Sequence, residues 1–206
     1  METIKVQKIT NIAELESLPK NKIEKVNWFD SYPYAPKVDF IIAHTGTEIL
    51  LKFFVQEQSI LALTTEDNDK VCTDSCVEFF INFDETGYYN FEFNCIGTAL
   101  IGFRKEKNNS VRADKKILEA IERKSTLGDT PFSEKMGDKK WELTLNIPVS
   151  SFFKHDIQNL SGMKANANFY KCGDNLSVPH FVSWNPISNP TPNFHLEKFF
   201  GEITFE

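Results

Sequence analysis

The sequence predicts an all-β fold, a two-sheet antiparallel β-sandwich with one or two short helices, and three observations carry that expectation. Short β-branched and aromatic runs alternate with polar or glycine-containing turns, as in VDFIIAHT, TEILLKFFVQE and SILALTT within residues 38–65. Two further runs, CVEFFINF (residues 76–83) and YYNFEFNC (residues 88–95), alternate strictly about the turn DETG. Together with the later runs they make about ten strands, more than one twisted sheet holds without curling or splitting in two.

Taken in order, the first three runs read as a meander. In the next pair, alternation puts Val77, Phe79, Ile81 and Phe83 on one face of the first strand, and Tyr89, Phe91, Phe93 and Cys95 on one face of the second. Both faces reach the core only if paired residues match in parity. Phe83 therefore faces Tyr89 or Gly87, a one-residue slip is excluded, and Glu78 lies across from Asn94 or from Glu92. The other face collects Cys76, Glu78, Phe80 and Asn82 with Tyr88, Asn90, Glu92 and Asn94. ALIGFRK continues the meander, and Asp114 can cap a short helix with Ile117, Leu118 and Ile121 on one side. WELTLNIP, residues 141–148, turns Trp141, Leu143, Leu145 and Ile147 inward and stops at Pro148, after which one helical turn is expected. ANANFYKC and the terminal EITF are closing strands. No repeat, charge block or long polar linker divides the chain, so residues 1–206 read as a single domain.

Composition narrows the function. The 206 residues are 41% hydrophobic, with 19 phenylalanines, enough to bury a sizeable core. A net charge of −6 with scattered Lys and Arg leaves no positive stripe to displace counterions from a phosphate backbone, which argues against nucleic acid and anionic membranes as partners. No apolar run approaches the roughly 20 residues of a membrane span. METIKVQKITNIAELE lacks the apolar stretch of a secretory signal, so the chain as written is expected to be soluble and cytoplasmic, or exported only if a leader has been removed. Cys72, Cys76, Cys95 and Cys172 form no CxxC pair and no Cys/His zinc spacing, so no metal site is expected from spacing. Cys95 and Cys172 lie in apolar runs, as small buried hydrophobes do. A Cys72 disulfide belongs only to an exported form of the protein.

The segment HFVSWNPISNPTPNFHLEKFFG, residues 180–201, is neither helix nor central strand, because its prolines remove backbone donors. Trp184 on this stiff segment is either a low-entropy ligand platform or a plug over the end of the sandwich. Trp141 is in phase with core leucines, and Trp28 in VNWFDSYPYAP is expected to pack against the entry to the first long strand. Phe194, His195, Phe199 and Phe200 lead straight into the last strand and are expected to staple the segment down. An outward sheet face is normally polar, but asparagine is a poor strand former, so Asn82, Asn90 and Asn94 near Glu78 and Glu92 favour a binding face. Two carboxylates across a strand pair also match the ~5 Å spacing of a retaining glycosidase. No nucleophile elbow, HExxH or phosphate-cradling loop accompanies them. Asp67, Asn68 and Asp69 lack EF-hand spacing and read as a solvated turn.

DSCVEFFINFDETGYYNFEFNCIGT, WELTLNIP and SWNPISNPTPNFHLEKFFGEITFE resemble, in order and over nearly the whole chain, the family 9-like carbohydrate-binding modules, whose fold is a DOMON-like, jelly-roll-like sandwich. The resemblance rests on Asp74-Ser75-x-Val77-Glu78, Asn90-Phe91-Glu92-Phe93-Asn94 and the closing Pro-x-Phe-His-x-x-x-Phe-Phe-Gly. It implies non-catalytic binding of a mono- or oligosaccharide between tryptophans, with acidic and amide side chains on the hydroxyls. Carried over by position, it implies Glu78 and Asn94 as polar contacts and Trp184 as the late stacking tryptophan, with Glu92, Asn90 and Tyr88 beside them. The earlier tryptophan of the pair has no counterpart, because Val71, Cys72 and Thr73 stand where it should be. Tyr88, Tyr32 or Tyr34 are the candidates to replace it. No cofactor is implied beyond a structural calcium for which no ligand set can be matched. The alternatives are a glycosidase built on Glu78 and Glu92, and a protein-interaction module using the Pro-rich Trp184 segment. Oligomeric state is not readable.

Overall fold

A computed structural model describes residues 1–105 and 109–206. Strand β1 (Thr3–Lys8) is followed by the two-residue strands β2 (Asn21–Lys22) and β3 (Lys25–Val26), then by the long hairpin β4 (Lys37–His44) and β5 (Glu48–Ala62). The hairpin β6 (Cys76–Asp84) and β7 (Gly87–Asn94) continues through β8 (Ala99–Arg104) and β9 (Ser110–Arg112). A short helix α1 (Lys115–Ala120) leads to β10 (Glu122–Ser125) and the 17-residue β11 (Phe132–Pro148), and the chain closes with β12 (Lys164–Cys172), β13 (Phe181–Ser183) and β14 (Gly201–Phe205).

Two layers result, as the strand count required. One runs β10-β11-β5-β4-β1 and the other β1-β14-β12-β6-β7-β8-β9, with β13 beside β12. The shared strand β1 joins them: Thr3–Val6 pair with β14, while Gln7 and Lys8 pair with β4. Both of these pairings are parallel, which corrects the expectation of purely antiparallel sheets. Parallel neighbours need a long connection, and for β1 and β14, at opposite ends of the chain, everything from β2 to β13 supplies it.

The apolar faces meet between the layers. Phe40 stacks on Phe169 at 4.0 Å and Phe79 on Phe169 at 5.0 Å, with Leu51, Phe53, Val77, Phe91, Trp141, Leu143 and Leu145 buried around them. Each large side chain so buried contributes about 1.5–3 kcal/mol. Trp141 is buried in the core as expected, whereas Trp28 is buried not against the entry to β4 but against Phe181 and Phe194, with its indole N–H donating to the Asn189 carbonyl at 2.7 Å. Asp114 caps α1 by accepting from the Ile117 amide, Leu118 and Ile121 are buried, and a 3-10 turn, Val149–Ser151, follows Pro148. All four cysteines are free thiols, and Cys95 and Cys172 are buried.

Candidate functional site

The outer face of the β12-β6-β7-β8 sheet, opposite the core, is where the polar row lies. Of the two parity-allowed registers, the structure adopts the one that sets Glu78 directly opposite Glu92, with Phe79 on Phe91 and Val77 on Phe93. The turn end of this hairpin carries a bulge between Ile81 and Asp84, and Gly87 sits there with φ +146°, so close to the Arg104 carbonyl that a Cβ would come within 2.6 Å. On the other flank Tyr170 faces Glu78 and Cys172 faces Cys76.

This face is not open to solvent, because the Pro-rich segment folds over it. Phe194 stacks on Tyr170 at 4.2 Å and His195 on Phe80 at 4.9 Å, while Tyr170 donates its hydroxyl to the Phe194 carbonyl. Asn168 and Asn185 anchor the segment: the Asn168 carboxamide donates to the Asn185 and Phe199 carbonyls, and Asn185 also donates to the Phe199 carbonyl. The proline-stiffened stretch is therefore a lid glued to the sheet. Between lid and sheet a cavity of about 180 Å³ remains, lined by Glu78 and Glu92, by Cys72, Cys172 and Asp174, and by Phe181, Pro192, Asn193, Phe194 and His195.

Glu78 and Glu92 are only 3% and 5% exposed. Burial, and then the neighbouring Glu92, raises the Glu78 carboxyl well above the ordinary carboxylate range. Burial likewise pushes Glu92 up to about 7, against the Asn90 hydrogen bond and the charges of Arg104 and Arg112, which favour its ionised form. Two carboxyls that face each other in a dry site do not both ionise near neutrality, so the pair holds a proton. Cys172 donates to Glu78 at 3.2 Å, and Asn90 donates to Glu92 at 2.8 Å while accepting from Arg104 at 3.2 Å. Asp174, raised by burial, completes an acidic rim on the cavity.

Three sequence expectations are corrected here. Trp184 does not reach the cavity. It is 5% exposed inside the sandwich, edge-on to Phe40 and Phe169, and its ring lies so tightly over Gly201 that a Cβ there would meet it at 2.6 Å. Trp184 follows Ser183, the last residue of β13, and keeps the two-residue period of that strand, so it points inward with Val182, and its amide donates to the carbonyl of the core residue Phe169 at 2.8 Å. Nor is Asn94 free for a ligand: its carboxamide donates to Asp74 and to the Thr64 carbonyl and accepts from the Ile96 and Thr98 amides. With Asp74, which accepts from the Leu63 and Thr64 amides, it buckles the strand ends that aim Glu78 and Glu92. The Asp67–Asn68 turn is anchored rather than solvated, Asp67 pairing with Arg123 at 2.7 Å and accepting from the Ala99 amide.

Tyr88 lies on the expected face but under the lid, stacked on Phe80, with its hydroxyl 3.1 Å from His195 Nδ1. Asn90 acts behind Glu92. Tyr32 packs edge-on against Phe181, and the Tyr34 hydroxyl accepts from the Gln58 amide. Phe181, Phe194, His195, Cys172 and Asp174 were not singled out as contacts. Parity along ANANFYKC, which puts Tyr170 and Cys172 on one face, could have found the cysteine, whereas the lid residues depend on a fold-back that no local pattern encodes.

A family model described as carbohydrate-binding family 9 matches residues 7–205. Among solved structures, a protein of Bacteroides uniformis described as a candidate carbohydrate-binding protein is 41% identical, with a TM-score of 0.95 over 100% of this chain and 99% of that one. A family 9 module of Caldicellulosiruptor kristjanssonii in complex with glucose is 14% identical, with a TM-score of 0.64 over 100% and 96% of the two chains. A module from the same organism in complex with cellotriose is 12% identical, with a TM-score of 0.62 over 100% and 94%. At these identities the two complexes attest the shared fold alone. No protein with a curated description matches significantly.

Proposed function

Because the chain belongs to carbohydrate-binding family 9, we propose that it binds a mono- or oligosaccharide, without cleaving it, in the cavity between the β6–β7 carboxylates and the Pro-rich lid. The observation that carries this reading is the facing pair Glu78 and Glu92 under aromatic rings. A pyranose offers hydroxyls that both donate and accept, which suits a carboxyl pair sharing a proton, and apolar C–H faces, which suit Phe181 and Phe194. At about 180 Å³ the cavity is smaller than the ~300–1,000 Å³ of drug-sized ligand sites, so it takes one terminal ring, with any further sugars outside. Glucose and cello-oligosaccharides are the first probes, since modules of the same fold hold them.

The test is isothermal titration of a sugar panel against the wild type, Glu78→Gln and Trp184→Ala. We expect binding by the wild type, weaker binding by Glu78→Gln, and retention by whatever fraction of Trp184→Ala folds. Silence of the wild type at millimolar sugar overturns the reading. One observation favours the glycosidase alternative: a proton-holding carboxyl beside a second carboxyl is the equipment of an acid–base pair. Release of chromophore from nitrophenyl glycosides, abolished in Glu92→Gln, would replace binding by catalysis. The interaction-module alternative loses its premise, because Trp184 offers no exposed ring.

A further inference from the structure

We infer that the sheet at the edge of the cavity carries a site for one thiophilic divalent cation of the zinc class, held by the thiolates of Cys76 and Cys172 and the carboxylate of Glu78, of which Cys172 and Glu78 line the cavity. Cys76 and Cys172 are direct partners across the β6–β12 pair, and Glu78 is the next residue along on the same face of β6. One ligand atom from each, two sulfurs and a carboxylate oxygen, lies within 4.8 Å of the other two. Bonds of ~2.3 Å from zinc to sulfur and ~2.0–2.2 Å to oxygen put the corners of a tetrahedron about 3.6–3.8 Å apart. The three atoms therefore need to close by about 1 Å at most, within side-chain rotation.

Donor type selects the ion. Two thiolates disfavour calcium and magnesium, which take oxygen ligands, and favour zinc and its softer neighbours. Three protein ligands also leave a fourth corner, which opens toward the cavity where Cys72 and Asp174 stand. Those two are held in place: the Asp174 amide donates to the Cys72 carbonyl at 3.1 Å, and the Cys172 thiol lies 3.8 Å from the same carbonyl. A dication would also offset the crowding of Glu78 against Glu92, two carboxyls buried face to face. On binding, the two thiol protons, and the carboxyl proton where Glu78 holds it, pass to solvent as the metal–sulfur and metal–oxygen bonds form. No motif spacing announces the site, because its ligands converge only through the pairing of β6 with β12.

The inference is independent of sugar binding, although both claims share Glu78, so it is tested without sugar. Cobalt(II) is titrated into the reduced full-length chain and absorbance is followed. A thiolate-to-cobalt charge-transfer band saturating at one equivalent and displaced by zinc is expected. Cys76→Ser and Cys172→Ser should each lose most of that band and weaken binding by at least about 100-fold. Cys95→Ser, which alters a buried thiol on the inner face, should behave as the wild type. Circular dichroism keeps the comparison interpretable: zinc should raise the Tm of the wild type and of Cys95→Ser but not of Cys76→Ser. Should Cys76→Ser not fold, Glu78→Gln carries the test, keeping the thiolate band but requiring more cobalt to reach it. No band at millimolar cobalt, or a band lost in Cys95→Ser and kept in the other two cysteine variants, overturns the site.

Discussion

The β6–β7 hairpin has two buried faces, and they differ in what buries them. The inner face, Val77, Phe79 and Ile81 against Tyr89, Phe91 and Phe93, is covered by the other sheet, and apolar side chains meet apolar side chains. The outer face, Cys76, Glu78 and Phe80 against Asn90, Glu92 and Asn94, is covered by a lid drawn from residues 185–200. Close packing leaves the first with little room for anything but itself. Over the second, the lid stops short of sealing, and a cavity floored by carboxyls and thiols is left. The core lies on one side of this hairpin, and the proposed ligand site on the other.

The largest effect that would break this division comes from the inner side. Trp184→Ala opens a hole between Phe40, Phe169 and Gly201 and should cost about 3–5 kcal/mol, read as a fall in urea midpoint. A variant that kept its stability but lost sugar binding would return the tryptophan to the site. Next comes the pH dependence of the outer side. Glu92 titrates near 7 in the folded chain against about 4.5 when free, so the folded state keeps a proton that the unfolded chain releases. Its contribution to stability is full below about pH 4.5 and is lost as pH rises through about 7. Glu92→Gln abolishes that loss. The variant should gain on the wild type across this window by up to about 3 kcal/mol, and equal slopes of stability against pH would contradict it.

Smaller effects sharpen the site itself. Glu78→Gln keeps the shape but removes the carboxyl that holds the proton of the pair, and should weaken sugar binding by about 0.5–1.5 kcal/mol in a calorimetric titration. Phe181→Ala trims an aromatic wall of the cavity that also packs on Tyr32 and Trp28. It should cost about 0.5–1.5 kcal/mol of affinity beyond the lost area, and unchanged affinity would put the sugar elsewhere along the lid.

Legibility followed the range of the interactions. The two parity sets of β6 and β7 could be read because alternation is local, and parity alone reduced the register to two choices. The Asp114 cap, the turn after Pro148 and the inward phase of Trp141 were legible for the same reason. Trp184 was misread because its surroundings, asparagine and prolines, mark the segment as irregular without saying which way its first ring points. Phe194 and His195 were read as staples and do staple the lid, stacking on Tyr170 and Phe80, yet the same two residues wall the cavity. Asn94 looked like a contact because an amide on a binding face is one, but four hydrogen bonds to the 64–98 turns occupy it.

By itself the sequence determined the β6–β7 faces and the carboxylate row, consequences of a two-residue period and of which side chains water rejects. TEILLKFFVQE and SILALTT, read as two strands of a meander, instead run on as the single strand β5. Tertiary structure alone decided that Glu78 meets Glu92 rather than Asn94, that Cys76 meets Cys172 across ninety-odd residues, and that the lid closes over them. Those outcomes depend on which of several allowed pairings buries most surface while leaving no backbone group unsatisfied, a sum over the whole chain that no short stretch of it contains.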